Sequence, residues 1–243
     1  MECVKIEHSD GIEIRTIRDI NGDFSRLYRE KGKLLPRLIL EGYYIEQMKA
    51  FRSLDKDLRN ILSWVKILND LNDRNGFREN LYPGMDNEDA VISKALYFAI
   101  LTLYGRCFTG AQSRKFTFDK KHVPEKYREL HEELMYSRHN FAAHKGDFDV
   151  EDCQIALVVN INKHQLRPTF FSELQQPYIA HSLLGTEDGN AVVNLCDALR
   201  NIATEKYSDI CDKISEGFVR KTPLAFWKHA NGKTVNIDSY FKK

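Results

Sequence analysis

The segment RHNFAAHKGD, residues 138–147, gathers groups able to handle a phosphate and a proton. Arg138 brings a planar guanidinium that stays charged and matches phosphate oxygens two at a time. His144 brings an imidazole, the side chain whose ordinary titration falls nearest neutrality. At 100° per helical residue, Arg138 lies about 20° from Tyr127, on the side shared by Leu134 and Phe141. A position expected to hold leucine therefore holds a cation, which must meet a carboxylate, carbonyls, a second subunit or a bound anion. Asn140 and His144 stand at i and i+4 and can touch. Arg138 and His144 are about 120° and about 9 Å apart, so one helix alone does not clasp a phosphate between them. Plainer uses are open for both histidines: His144 can bond the terminal carbonyls of its helix, and His139, pointing away from the stripe, can rest in solvent.

A second concentration of chemistry lies in TGAQSRKFTFDKKHV, residues 109–123. Arg114, Lys115, Lys120 and Lys121 face the single acid Asp119, with Phe116 and Phe118 interleaved. Single-stranded nucleic-acid surfaces are built this way, with rings stacking on bases and cations following phosphates. The alternative is a solvated loop whose two phenylalanines tuck into the core. Arg106 just upstream either adds a phosphate contact or caps a helix C-terminus.

Other chemistries lose their support. The chain has no G-x-x-x-x-G-K-S/T loop and no G-x-G-x-x-G, and His131-Glu132-Glu133 lacks the second histidine of a zincin helix. The five cysteines are widely and irregularly spaced with no C-x-x-C pair, which predicts reduced thiols and no zinc. No cofactor or metal is expected. Basic and acidic residues nearly cancel, 36 against 35, so any charge effect is local, and 42% hydrophobic residues suffice for a core. The longest apolar stretch, Ala95 to Leu101, falls far short of the roughly 20 residues of a spanning helix. The first residues, MECVKIEHSDG, have no apolar core of a secretory signal, and a cytoplasmic location without membrane attachment is expected.

The elements that must position these groups read as mainly helical. Val4 and Ile6, then Ser9-Asp10-Gly11, then Ile12 and Ile14, predict a small N-terminal hairpin over 1–17. Pro36 opens one long or two consecutive helices running to about Asn72, with Gly42 and Ser53 as weak points. Asn87 caps a second, nearly all-round apolar helix ending near Phe108. Pro124 starts a third, with the stripe Tyr127, Leu130, Leu134 and Phe141, closed by Gly146. Residues 153–172 predict a short strand pair. A last helix runs from about Asp188 to Phe218, and 219–243 reads as a peripheral C-terminal segment. One domain over 1–243, an up-and-down helical bundle with small β attachments, is the economical architecture.

RHNFAAH at 138–144 resembles the R-x(4-6)-H motif of the HEPN superfamily, in which a polar residue commonly follows the arginine. Here His139 fills that slot. A looser likeness of LYGRCFTGAQSRK, residues 103–115, to abortive-infection-type members goes with it. The resemblance implies a helical bundle, metal-independent cleavage of RNA, and a homodimer in which the motif helices pair so that two arginines and two histidines line one cleft. It implies the biology of a toxin or antiphage effector and a possible antitoxin protein as partner. The residue chemistry fits: metal-free RNA cleavage needs the 2′-hydroxyl proton removed, charge on the phosphorane stabilised and the 5′-oxygen protonated. His144 is expected to transfer protons, Arg138 to hold the phosphate and Asn140 to fix the His144 tautomer. His139, Lys145, Arg106, Arg114, Lys115 and Phe116 are expected to contact substrate. The competing reading is a non-catalytic helical dimer that binds a nucleotide or a protein partner, with Arg138 in an interface ion pair to Glu129, Glu132 or Glu133.

Overall fold

Asp10 and Gly11 both take positive φ, 51° and 77°, as a two-residue type I′ turn demands. They fold β1 (Glu2–Ser9) back on β2 (Ile12–Arg18), with Ser9 opposite Ile12 and Glu7 opposite Ile14. Lys31 (φ 47°) and Gly32 (φ 79°) repeat the device between β3 (Phe24–Glu30) and β4 (Lys33–Leu34). The expected hairpin is therefore half of a four-stranded antiparallel sheet, in the order β1-β2-β3-β4. The apolar residues of FSRLYRE do not alternate, which hid β3 from a pattern reading. The computed structural model describes residues 2–75, 87–110, 114–139, 152–162, 165–175 and 191–241.

The chain forms two compact units: Met1–Lys49 with Lys206–Lys243, and Ala50–Glu205. Two long helices, α1 (Tyr43–Asn75) and α4 (Ala191–Ile214), each contribute to both.

In the first unit the expected helix at Pro36 does not form. The chain after it is extended, and β5 (Ile39–Glu41) pairs in parallel with β8 (Thr234–Asn236). The start of α1 is set from a distance: the Asp238 carboxylate accepts from the Tyr43 N–H at 2.7 Å and fills the space where a Cβ of Gly42 would stand. Phe218 is buried among Phe226, Trp227 and Tyr240. Ala230 and Ile237 are also buried, so the segment 219–243, expected at the periphery, supplies core to this unit.

In the second unit α1 buries Leu54, Leu58, Ile61, Val65 and Leu68 at helical spacing. The α2 helix (Glu88–Phe108) is capped by the Asn87 side chain on the Ala90 N–H, as expected. It is the one described helix long and apolar enough to cross a bilayer, and it buries Tyr97, Ile100, Leu101 and Tyr104 as a core helix does. Arg200 of α4 pairs with Asp55 of α1 at 3.0 Å. After a 3₁₀ turn at Glu125–Tyr127 comes α3 (Arg128–Ser137). The antiparallel pair β6 (Asp152–Asn162) and β7 (Gln165–Gln175) fulfils and extends the expected strands at 153–172. The short α5 (Leu224–Trp227) belongs to the first unit, where α4 gives way to a wider π turn at Ser215–Val219. The chain is mainly helical with small sheets.

Candidate functional site

The candidate site begins where α3 packs on the C-terminal half of α2. The buried positions of α3 are His131, Leu134 and Ser137; of the expected stripe Leu134 is buried, and Tyr127 and Leu130 are half-buried. Tyr127 lies in the 3₁₀ turn at 125–127, outside the regular helix. Arg138 stays on this stripe, two helical turns after His131, and its N–H donates to the Leu134 and Met135 carbonyls. Its side chain runs along α2 over Gly105. A Cβ built on Gly105 would lie 2.9 Å from the Arg138 Cγ and 3.0 Å from its Cδ and Nε. The glycine thus supplies the shallow channel in which the half-buried arginine stem lies. The guanidinium Nη1 faces Nδ1 of the exposed His139 at 3.4 Å.

Beneath the contact, the Tyr104 hydroxyl and His131 Nδ1 are 2.8 Å apart. Burial pushes the Tyr104 hydroxyl far above its ordinary range and lowers the His131 pKa below 6.5. The tyrosine therefore keeps its proton and the buried imidazole favours its neutral form, so the pair shares a hydrogen bond between uncharged groups. Phe108 covers that ring, with centroids 4.4 Å apart.

One residue beyond Gly105, Arg106 turns to Asp57 of α1. The Asp57 carboxylate is fully buried and takes two cations: Arg106 Nη2 at 2.6 Å and Arg114 Nη2 at 2.5 Å. Arg114 also donates to Ser53 Oγ at 2.9 Å and to the Arg106 carbonyl at 3.3 Å, and only 9% of its side chain is exposed. A phosphate reaches Arg114 only by displacing that carboxylate, whereas Arg106, 53% exposed, keeps a face in solvent. Arg106 thus forms an ion pair, which neither of its two expected roles includes, and Asp57 belongs to no motif in the sequence. The signal was present, because Asp57 falls inside the stripe of Leu54, Leu58 and Ile61, where a charge needs a partner. Nearby Cys107 is buried and its thiol is pushed up to about 12, chiefly by burial, which removes it as a nucleophile.

The basic loop is mostly folded onto the protein. Phe118 is 1% exposed, so of its two readings the core one holds. Phe116 is half-buried, with its ring 4.6 Å from Phe51 and 5.6 Å from His122. Lys120 pairs with Glu132, and Lys121 with Asp119. Lys115 is exposed. The structure thus brings Arg138, His139 and Arg106 to one end of α2 and ties Arg114 away in the interior. Asn140, His144 and Lys145 lie outside the described residues, as do Phe141 and Gly146. Among the described residues no group of three or more His, Cys, Asp or Glu is placed to hold a metal ion.

Comparison of the chain with family models, with curated proteins and with solved structures finds no match.

Proposed function

We propose that the protein is a metal-independent endoribonuclease of HEPN type, working as a homodimer whose two motif helices form one composite cleft. The observation that carries the reading is Arg138. Its stem is seated against Gly105 in the α2–α3 contact, and among the described residues its guanidinium has only the neighbouring His139 imidazole and no carboxylate. A cation held at that place by its own chain, with no acid on it among the described residues, suits a phosphate. Within the reading, Arg138 holds the scissile phosphate and stabilises the charge gathering on it. His144 moves the 2′-hydroxyl and 5′-oxygen protons, and Asn140 fixes its tautomer. His139, Lys145 and the open side of Arg106 follow the RNA backbone, and Lys115 extends that track. Arg114 and Phe116 support the track from inside the fold. The biological role that goes with this chemistry is that of a cytoplasmic toxin or antiphage effector restrained by an antitoxin protein.

The test is cleavage of total RNA by the purified protein in EDTA, beside Arg138→Ala. Wild type is expected to cut and the variant not to. A wild type that cuts only when a divalent metal is added, or a variant that cuts at the wild-type rate, overturns the reading. An acid from a second copy found on Arg138 in a protein that does not cut RNA would support the non-catalytic dimer instead.

A further inference from the structure

The solvent-facing side of α1 is more basic than its residue types suggest. Between Ala50 and Ile67 the helix carries the cations Arg52, Lys56, Arg59 and Lys66 and the acids Asp55 and Asp57. Both acids are buried, Asp55 beneath Arg59 and Arg200, and Asp57 beneath Arg106 and Arg114. Each carboxylate is thus met by two guanidinium groups, which leaves a positive remainder. All four cations of the stretch are exposed, so every charge it shows to water is positive.

Helical geometry gathers them. With Asp57 as zero and 100° per residue, Lys56 falls at about −100°, Arg52 at about −140°, Arg59 at about −160° and Lys66 at about 180°. That side lies opposite Leu54, Leu58, Ile61 and Val65, which face the core. Exposed Asn60 and Ser63, at about −60° and about −120°, fill the space between the cations and Asp57. From Arg52 to Lys66 the face runs about 21 Å at 1.5 Å per residue, the length of several phosphates. Arg106 joins it from α2 through Asp57, and the preceding residue, Gly105, seats Arg138. A row of cations therefore leads from Arg138 over the end of α2 onto α1.

The composition of the face selects its occupant. Arg, Lys, Asn and Ser are side chains that contact phosphate oxygens without reading bases. No ring is exposed between Ala50 and Lys66, and the first exposed large apolar side chain is Ile67 at its end. A protein partner wants an apolar centre inside a polar rim, and a membrane-bound helix wants an apolar face toward the acyl chains. A polyanionic backbone needs neither. We propose that the exposed face of α1 is a sequence-independent track for the RNA backbone leading away from the phosphate at Arg138, with Lys56 near Arg106 and Lys66 at its far end.

Fluorescence anisotropy with labelled 2′-O-methyl oligonucleotides of about 20 residues, all-uridine or all-adenosine, tests it over about 50–300 mM salt. Wild type is expected to bind both, more weakly as salt rises. Lys56→Gln combined with Lys66→Gln is expected to weaken both about 10-fold at about 100 mM salt, with the melting temperature unchanged. The slope of log affinity against log salt is expected to flatten by about 0.7 per cation removed. Lys56→Arg with Lys66→Arg keeps the charges and is expected to bind as wild type does. Lys126→Gln removes an exposed cation seated over the Tyr127 ring, beyond the other end of α3 from Arg138, and is expected to change nothing.

A wild type that binds neither oligonucleotide overturns the proposal. So does a folded Gln variant with wild-type affinity and slope, a loss confined to one base, or an equal loss in Lys126→Gln. Poly-glutamate displacing the RNA at equal charge would assign the face to an acidic protein and overturn it as well. The track rests on the ribonuclease reading for the identity of its polyanion, but 2′-O-methylation removes the hydroxyl that cleavage needs, so the two fail separately. A protein that cuts RNA in EDTA while the Gln variant binds as wild type loses only the track, and one that binds through these lysines without cutting loses only the ribonuclease.

Discussion

The side chain of Arg138 occupies the volume that a Cβ on Gly105 would need, with its Cγ 2.9 Å from that point. Alanine is the better helix former by about 1 kcal/mol, so at an unconstrained helical position Gly→Ala raises stability. At 105 the clash falls on the stem of a half-buried arginine rather than on its free end. Gly105→Ala is therefore expected to bring no rise in melting temperature and to lower RNA cleavage about tenfold or more, although Gly105 meets no substrate. A stabilised variant with full activity would show that the Arg138 pose does not matter.

Arg138 and His144 are expected to fail differently. Arg138→Lys should recover little of the cleavage lost in Arg138→Ala, because an ammonium cannot reproduce the two-pronged phosphate contact. His144→Ala should leave the fold and RNA affinity near wild type while reducing turnover about 10²-fold or more. Single-turnover cleavage beside filter binding separates the two effects. Wild-type activity should also vary with pH as imidazole chemistry does, between about pH 5 and 8.

Asp57 holds two arginines from full burial. Asp57→Ala leaves Arg114 charged in the interior and is expected to cost about 3–5 kcal/mol, read from urea unfolding. Arg106→Ala removes the half-exposed partner and is expected to cost about 1 kcal/mol or less. Equal losses would mean that Arg114 is not the cation Asp57 serves.

The two phenylalanines of the basic loop should separate on stability alone. Phe118→Ala is expected to cost about 3–5 kcal/mol, as for a large ring removed from the core. Phe116→Ala loses only part of that burial and its ring contact with Phe51, a pairing worth about 0.5–1.5 kcal/mol. Thermal melts of the two single variants decide it.

His131 links stability to pH. Burial holds its pKa below the ordinary 6.5, with Lys120 acting in the same direction and Glu132 opposing. The unfolded chain therefore takes up the proton first as pH falls. Stability is expected to decline from about pH 6.5 downward until the folded-state value is passed, and to be insensitive to this group above it. His131→Gln removes the titration. Its urea midpoint should change less than that of wild type between about pH 7.5 and 5.5.

Local signals in the sequence carried much of the fold. Asp10-Gly11 specified a tight turn because few residues accept positive φ. Asn87 marked the start of α2 because a side-chain acceptor satisfies an N–H there before any tertiary contact forms. Helical spacing also placed Leu134 and Arg138 on one side of α3, with His131 in place of Leu130 as its buried neighbour.

What the sequence could not fix was partnership across long separations. The start of α1 at Tyr43 depends on Asp238, which lies 195 residues away, so Pro36 misled as a local signal. The pairing of Asp57 with Arg106 and Arg114, and the channel that Gly105 makes for Arg138, exist only once α1, α2 and α3 are packed. Residue type and spacing determined which groups could hold a phosphate or move a proton. Tertiary packing decided which cations a buried carboxylate neutralises, because a charge in the interior must find its partner wherever the fold supplies one.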